Sequence, residues 1–287
     1  MKKFVAAGAL LLTAMVAAGC GPSNSVGQAS KSITIGYVDW PEDVAVSHVW
    51  QQILQKKGYK VHLVMAGVAP TYEGVGSGSD NLFMDAWLPH DQGTYWNRVK
   101  STAIKVNSWY TSPTKEGFVV PDYVTINSIS QLKSHASEFG NQIIGIDAGA
   151  GEMRLAKVAI KKYGLPEQLV TSSDSAMLAA LAKAESQKKP VVVTLWSPHW
   201  AFAKWKLKYL KDPKNIFGPA DHIYTIANKS WEHKNPKVVK WLKHFHMNQK
   251  QVGVLERDIN RVPSSKINSA VRKWMSQNKS LVNSWTK

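Results

Sequence analysis

Cysteine is all but absent from this chain of 287 residues: Cys20 is the only one. A single thiol closes no intramolecular disulfide and supplies no thiolate metal set. No Gly-x-Ser-x-Gly elbow and no His-Glu-x-x-His occurs, and no paired carboxylates stand out, so a secreted hydrolase finds no support and an enzyme is not expected. No metal site and no cofactor-binding motif is read either. Acidic residues are scarce, 20 against 36 Lys plus Arg, for a net charge of +16. Such a surplus raises nucleic acid as a partner, but no helix-turn-helix, RNA-binding aromatic motif or finger spacing appears. The basic residues are scattered over helix-like segments, as in Lys204-Trp205-Lys206-Leu207-Lys208. They read as a solvated surface, drawn toward an anionic membrane or wall rather than toward nucleic acid.

What is present begins with a leader. Lys2 and Lys3 precede an apolar stretch, Phe4 to Ala18, that is too short to span a bilayer. Ala17-Ala18-Gly19 then leads to Cys20, which reads as a secretory signal peptide over residues 1–19. The Cys position resembles a bacterial lipobox, in which Cys20 is acylated and becomes the first mature residue. Residues 20–32 are small and polar, a flexible tether. Beyond the leader no apolar run is long enough to cross a membrane, so the lipid would be the anchor and the outer face of the cell membrane the location.

Tryptophan is abundant, with 12 residues. Three of them end strand-like runs just before a proline. Ile33 to Val38 leads to Trp40 and Pro41; Asn81 to Ala86 leads to Trp87, Leu88 and Pro89; Val191 to Leu195 leads to Trp196, Ser197 and Pro198. Proline stops a strand, so each indole belongs at a carboxyl strand tip, where α/β sheets bind ligands. Several indole faces with no acid or base among them suit a soft cation, and three around a quaternary ammonium form a cation–π cage. Trp50, Trp241, Trp274 and Trp285 fall at helical spacing and read as core, and Trp200 and Trp205 as packing behind Trp196. His90 and His199 read as structural histidines, and Glu42 with Asp43 as an acid pair favoured by a helix start.

Between these landmarks, strand-like and helix-like segments alternate, which argues for sheets with helices on their faces. Glu116 to Pro121 reads as a crossover into a second lobe and His222 to Ala227 as the return. The expected division is residues 33–117 with 226–287 for the first lobe and 118–225 for the second. Two α/β lobes on two crossovers make a hinged clam-shell, with Trp40 and Trp87 from one wall and Trp196 from the other. A solute bridging both walls favours closure.

With these residues laid out, the chain resembles the glycine betaine-binding proteins of ABC importers, over roughly Ile33 to Trp285. The resemblance rests on Asp85-Ala86-Trp87-Leu88-Pro89, Ile144 to Gly151 (Ile-Gly-Ile-Asp-Ala-Gly-Ala-Gly), Ser175-Ala176-Met177, and Trp196-Ser197-Pro198-His199-Trp200 with Leu207 to Pro213. It implies a two-lobed α/β clam-shell of the periplasmic-binding-protein type, type II, with two crossover segments at the hinge. It implies partnership with an ABC permease and its ATPase subunit. Trp40, Trp87 and Trp196 match the family's cage, and Gly151 and Glu152 match the backbone amides that hold the ligand carboxylate after a turn through Gly149 and Ala150. A helix start offers free N–H groups and a positive dipole end, so the physics agrees. Glu152 would act through its amide, with its own carboxylate turned away. Relatives place a His after the Trp-Leu-Pro motif; here Gln92 stands at that position and His90 two residues earlier, and either is able to donate. A desolvated cation–π contact is worth about 2 kcal/mol, or about 6 for three, whereas micromolar affinity needs about 8 net of association costs. The carboxylate grip is therefore expected to be needed, which disfavours choline. A sensor or adhesin that cages a cation is the rival from another functional class.

Overall fold

The computed structural model describes residues 31–287. Cys20, the leader and most of the tether lie outside the described residues. The first strand, β1 (Ser32–Tyr37), is followed by α1 (Pro41–Lys56), β2 (Lys60–Met65), α2 (Val68–Ser77), β3 (Leu82–Leu88), α3 (Gly93–Val99) and β4 (Ala103–Ser108). Then come β5 (Lys115–Pro121), α4 (Ile129–His135), β6 (Gln142–Ile144), α5 (Gly151–Tyr163), β7 (Gln168–Val170), α6 (Asp174–Gln187), β8 (Val193–Ser197), α7 (Ala201–Lys204) and β9 (Leu207–Tyr209). The chain ends in β10 (His222–Asn228), α8 (Lys229–Lys234), α9 (Pro236–His244), α10 (Gln249–Asn260), α11 (Ile267–Gln277) and α12 (Lys279–Trp285).

Two five-stranded mixed sheets result, ordered β2-β1-β3-β10-β4 and β7-β6-β8-β5-β9. They share one topology. In each, three strands run parallel and the strand beside the third, β10 or β5, runs antiparallel and arrives from the other part of the chain. This is the two-lobed α/β clam-shell. The third parallel strands, β3 and β8, end alike: Trp87-Leu88-Pro89 and Trp196-Ser197-Pro198, each with a cis X-Pro peptide. A correspondence that no fixed sequence period revealed is thus plain in the strand order.

Several segments differ from the sequence reading. Glu116 to Pro121 and His222 to Ala227 are not connections but strands, each flanked by pairing partners on both sides. The chain changes sheets earlier, between β4 and β5 and again between β9 and β10. The segment Lys266 to Trp285, whose spacing predicts one helix, is two helices, because Asn278 both caps α11 and turns its amide onto the Trp274 carbonyl at 2.9 Å, competing with the backbone ladder. α10 was not anticipated, although Asn248 and Gln251 form a reciprocal capping box at its start.

Apolar residues from both sheets join into one core that crosses the cleft through Trp40, Trp87, Trp196, Ile146 and Met153, while a second core backs β5, β6 and α5. Trp109, just past β4, is 0% exposed, stacks on Phe245 at 5.3 Å and donates its indole N–H to the Met84 carbonyl at 2.6 Å. Truncating a large buried aromatic leaves a cavity and orphans its partner. Trp109→Ala is expected to lower unfolding free energy by about 3–5 kcal/mol, read by urea denaturation; a loss below about 1 kcal/mol would contradict this packing role.

Candidate functional site

Trp40 is the residue preceding α1, in extended backbone with Pro41 opening the helix, so the strand-to-helix turn aims its ring across the cleft. Asp43 fixes that turn by accepting the Val38 N–H at 2.7 Å and the Ser47 hydroxyl at 3.0 Å. Trp87 ends β3, and its indole N–H donates to Asp85 at 3.0 Å. Trp196 ends β8 from the opposite sheet, with His199 edge-on at 4.9 Å. His199 accepts the Ala201 N–H and meets Asp174 at 3.3 Å, a bracing role. The Trp40 and Trp196 rings approach to 6.2 Å at 60°. The three rings are 5%, 2% and 4% exposed, and all line one small cavity of about 20 Å³.

The rest of the lining is Glu42, Asp91, Gln92, Glu116, Ile146, Ala150 and Glu152. Of the residues singled out in the sequence, Gln92, Ala150 and Glu152 reach the cavity. Gly151 opens α5 beside it, and Gly149, one turn out, accepts the Tyr95 hydroxyl at 2.6 Å. His90 does not reach it: its side chain is exposed, and only its backbone bridges, to Asp221 and Arg154. Gln92 is fully buried, its amide oxygen taken by the Tyr72 hydroxyl and the Trp87 N–H. Glu152 is buried at the cavity, and its carboxyl reaches the β5 backbone. One oxygen accepts the Gly117 N–H at 3.1 Å and the other has no partner.

Glu42, Asp91 and Glu116 were not expected in the lining. Each stands beside a residue that was: Glu42 two after Trp40, Asp91 between His90 and Gln92, and Glu116 opposite Trp196 in the β5–β8 ladder. Four carboxyl groups therefore line the cavity, with no Lys, Arg or His among its lining residues.

The family model described as the substrate binding domain of ABC-type glycine betaine transport systems matches residues 31–277. The chain belongs to this family. It is similar to the glycine betaine/carnitine transport binding protein GbuC of Listeria monocytogenes, 38% identical over 165 residues, 56% of this chain and 54% of that protein. The chain thus aligns with about half the length of that curated relative. Among solved structures, a glycine betaine/L-proline-binding protein (ProX) of Borrelia burgdorferi superposes with a TM-score of 0.85 at 31% identity, covering 89% of this chain and 97% of that one. Lactococcal OpuAC in its closed, glycine betaine-liganded conformation gives a TM-score of 0.83 at 32% identity, covering 89% and 99%.

Within this family frame the cavity's electrostatics stand out. Removal from water, reinforced by neighbouring acids, pushes the Glu42, Asp85, Glu116 and Glu152 carboxyl groups well above the usual carboxylate range. Desolvation also raises Asp91 to about 7, and Asp43 and Glu256 to about 8. These acids hold their protons better in the closed fold than in water. Their contribution to closure and stability is complete below about pH 4 and is lost as the pH rises through about 7 for Asp91 and about 8 for Asp43 and Glu256. The ligand-free protein is expected to open and to melt at lower temperature as the pH is raised from 5 to 9. Small-angle scattering giving the same radius of gyration throughout, with an unchanged melting temperature, would refute this.

Proposed function

We propose that this protein is an exported, lipid-anchored solute receptor that captures a small quaternary ammonium in the cage of Trp40, Trp87 and Trp196 and delivers it to an ABC permease driven by its ATPase. One observation carries the reading: three indoles from separate element ends, two on one sheet and one on the other, are buried around a single cavity. Indole faces attract a desolvated cation without asking it for a hydrogen bond, and only closure brings the third face into contact. Binding and closure are then one event, which is what a permease needs in order to tell loaded from empty receptor. The named activities of GbuC and the lactococcal OpuAC support this solute class. Anchoring would fall to Cys20, and no helix of the described residues is long and apolar enough to cross a membrane. The hinge would lie at the two sheet changes, near the expected division of 33–117 with 226–287 against 118–225.

Trp196→Ala removes one wall of the cage. Loss of about 2 kcal/mol of cation–π attraction corresponds to about 30-fold weaker binding of a quaternary ammonium. Calorimetry with tetramethylammonium, betaine and choline, beside a melting curve showing the fold intact, measures it. Unchanged affinity for whichever of these binds the parent protein would remove Trp196 from the site.

A further inference from the structure

Resting on the export and the Cys20 anchor proposed above, we infer that the end of the first sheet opposite the cleft is a membrane-docking face, which holds anionic phospholipid headgroups and turns the cleft outward. The basic residues look scattered along the sequence, and the fold gathers them. β1, β2, β3 and β4 all point their carboxyl ends toward the cleft, so their amino ends, with the carboxyl end of β10, form the far edge. Lys31 precedes β1, Lys56 and Lys57 close α1, and Lys60 opens β2, its N–H donating to the Lys31 carbonyl at 2.7 Å. Lys100 precedes β4, and Lys229 opens and Lys234 closes α8, which follows β10. Lys237 reaches back to the first group: its ammonium and that of Lys57 lie over the same Trp241 ring, at 5.4 and 5.2 Å.

Eight lysines thus meet two acids at this edge, Asp80, buried against Gly36 and Gly74, and Glu232, which faces His233 at 3.6 Å. The whole chain, with 36 bases to 20 acids, is far less one-sided. None of the eight pairs with an acid among the described residues. A lysine-rich surface is ordinarily only solvated, and the second sheet supplies the control. It shares the strand order, yet its corresponding edge interleaves Glu138, Glu167 and Glu185 with Lys162, Lys188 and Lys189. The first edge is also recessed. A groove of about 650 Å³ between α2 and α8 is lined by Ser77, Ser101, Thr102 and Ser230 with Lys229 and Lys234, and no acid lines it. Trp231 Nε1 and Asn235 Oδ1, on residues of its wall, are buried without a partner. Ammonium and hydroxyl donors together suit a phosphodiester.

Two observations favour a bilayer over a free anion. The chain enters the fold at this edge, through Lys31. The stretch from Cys20 to Lys31 spans at most about 40 Å, so an acylated Cys20 keeps the face within that distance of the headgroups. Five strands about 4.8 Å apart also make the edge about 20 Å wide, which matches a plane of headgroups better than one small ion. Each lysine near such a surface is worth about fivefold in binding. β1 is six residues long, about 20 Å, so docking on the amino edge holds the cage clear of the headgroups and open to solute from outside.

The test is sedimentation of the mature chain, residues 20–287 with Cys20→Ser so that no acyl chain contributes. It is mixed with vesicles of phosphatidylglycerol and phosphatidylcholine in equal parts, or of phosphatidylcholine alone. Binding to the anionic vesicles is expected, lost as salt rises from about 0.05 to about 0.5 M because the lysines are screened. Lys56→Glu, Lys60→Glu, Lys100→Glu and Lys234→Glu combined are expected to weaken it at least tenfold. Lys157→Glu, Lys161→Glu, Lys183→Glu and Lys189→Glu, the same charge change on the second lobe, are expected to leave it nearly unchanged. Melting curves check that both sets fold, and Gln at the first four positions, a milder change, is expected to give the same ranking. Equal losses in the two sets, or equal attachment to neutral vesicles, overturns the inference. So does lysine-dependent retention of soluble polyphosphate with indifference to vesicles, which assigns the face to a polymer. Palmitate labelling of the wild-type chain in cells reads the anchor separately: an unlabelled Cys20 beside lysine-dependent vesicle binding overturns the anchor and supports the face.

Discussion

Carboxyl groups cannot be taken out of water without a partner, and this molecule takes several out at once. Glu42, Asp91 and Glu152 are each almost wholly buried and line one cavity with Glu116 and three indole rings, and no base lines the space they share. Two ways of relieving such a site exist. Either the acids keep their protons, or a cation arrives. The indoles offer that cation a surface and the acids offer it a charge. Ordinary packing explains a buried Trp and a helix start explains Glu42, but neither explains four acids lining the same small cavity.

The sheets explain how such a site is built from distant residues. Both have the same strand order, and both end their third parallel strand in Trp-x-Pro. Placing two copies of one architecture with their carboxyl edges facing sets Trp40, from the turn after β1, against Trp196, and Trp87 lines the same cavity. Closure is then favoured by the apolar core that crosses the cleft and opposed by any ionised acid left inside. A receptor balanced in this way closes best on something that settles its charge.

Much of this was legible in the chain. Strand tips marked by Trp before Pro located the three rings, because proline ends a strand wherever it falls. The alternation of strand and helix gave the fold class. What was not legible is contact between remote segments. Glu116 and His222 open runs that read as connections, since an apolar run ended by proline looks the same whether or not neighbours flank it; pairing with β8 and β9, or with β3 and β4, decides. The acids were missed for the same reason. Glu42 looks like a helix-start acid, Glu116 like a strand-end charge and Asp91 like a turn residue, and each is also that. Only the closed arrangement shows them sharing one space. Sequence likeness to a family that holds carboxylates also directed attention to the amide of Glu152 rather than to its side chain.

A net charge of +16 stands against the proposed cationic solute at first sight. Distance resolves it. At physiological ionic strength the screening length is about 8 Å, so scattered surface lysines act weakly on a solute already inside the cleft. Within the cleft water is excluded and the effective permittivity falls, so a carboxylate 4 Å away is worth about 4 kcal/mol where in bulk water it is worth about 1. The local acids therefore decide what the site accepts, while the basic exterior bears on what the protein approaches. Separate requirements have been met on separate surfaces, and overall charge is a poor guide to the ligand. The better guide is the handful of charges that closure removes from water.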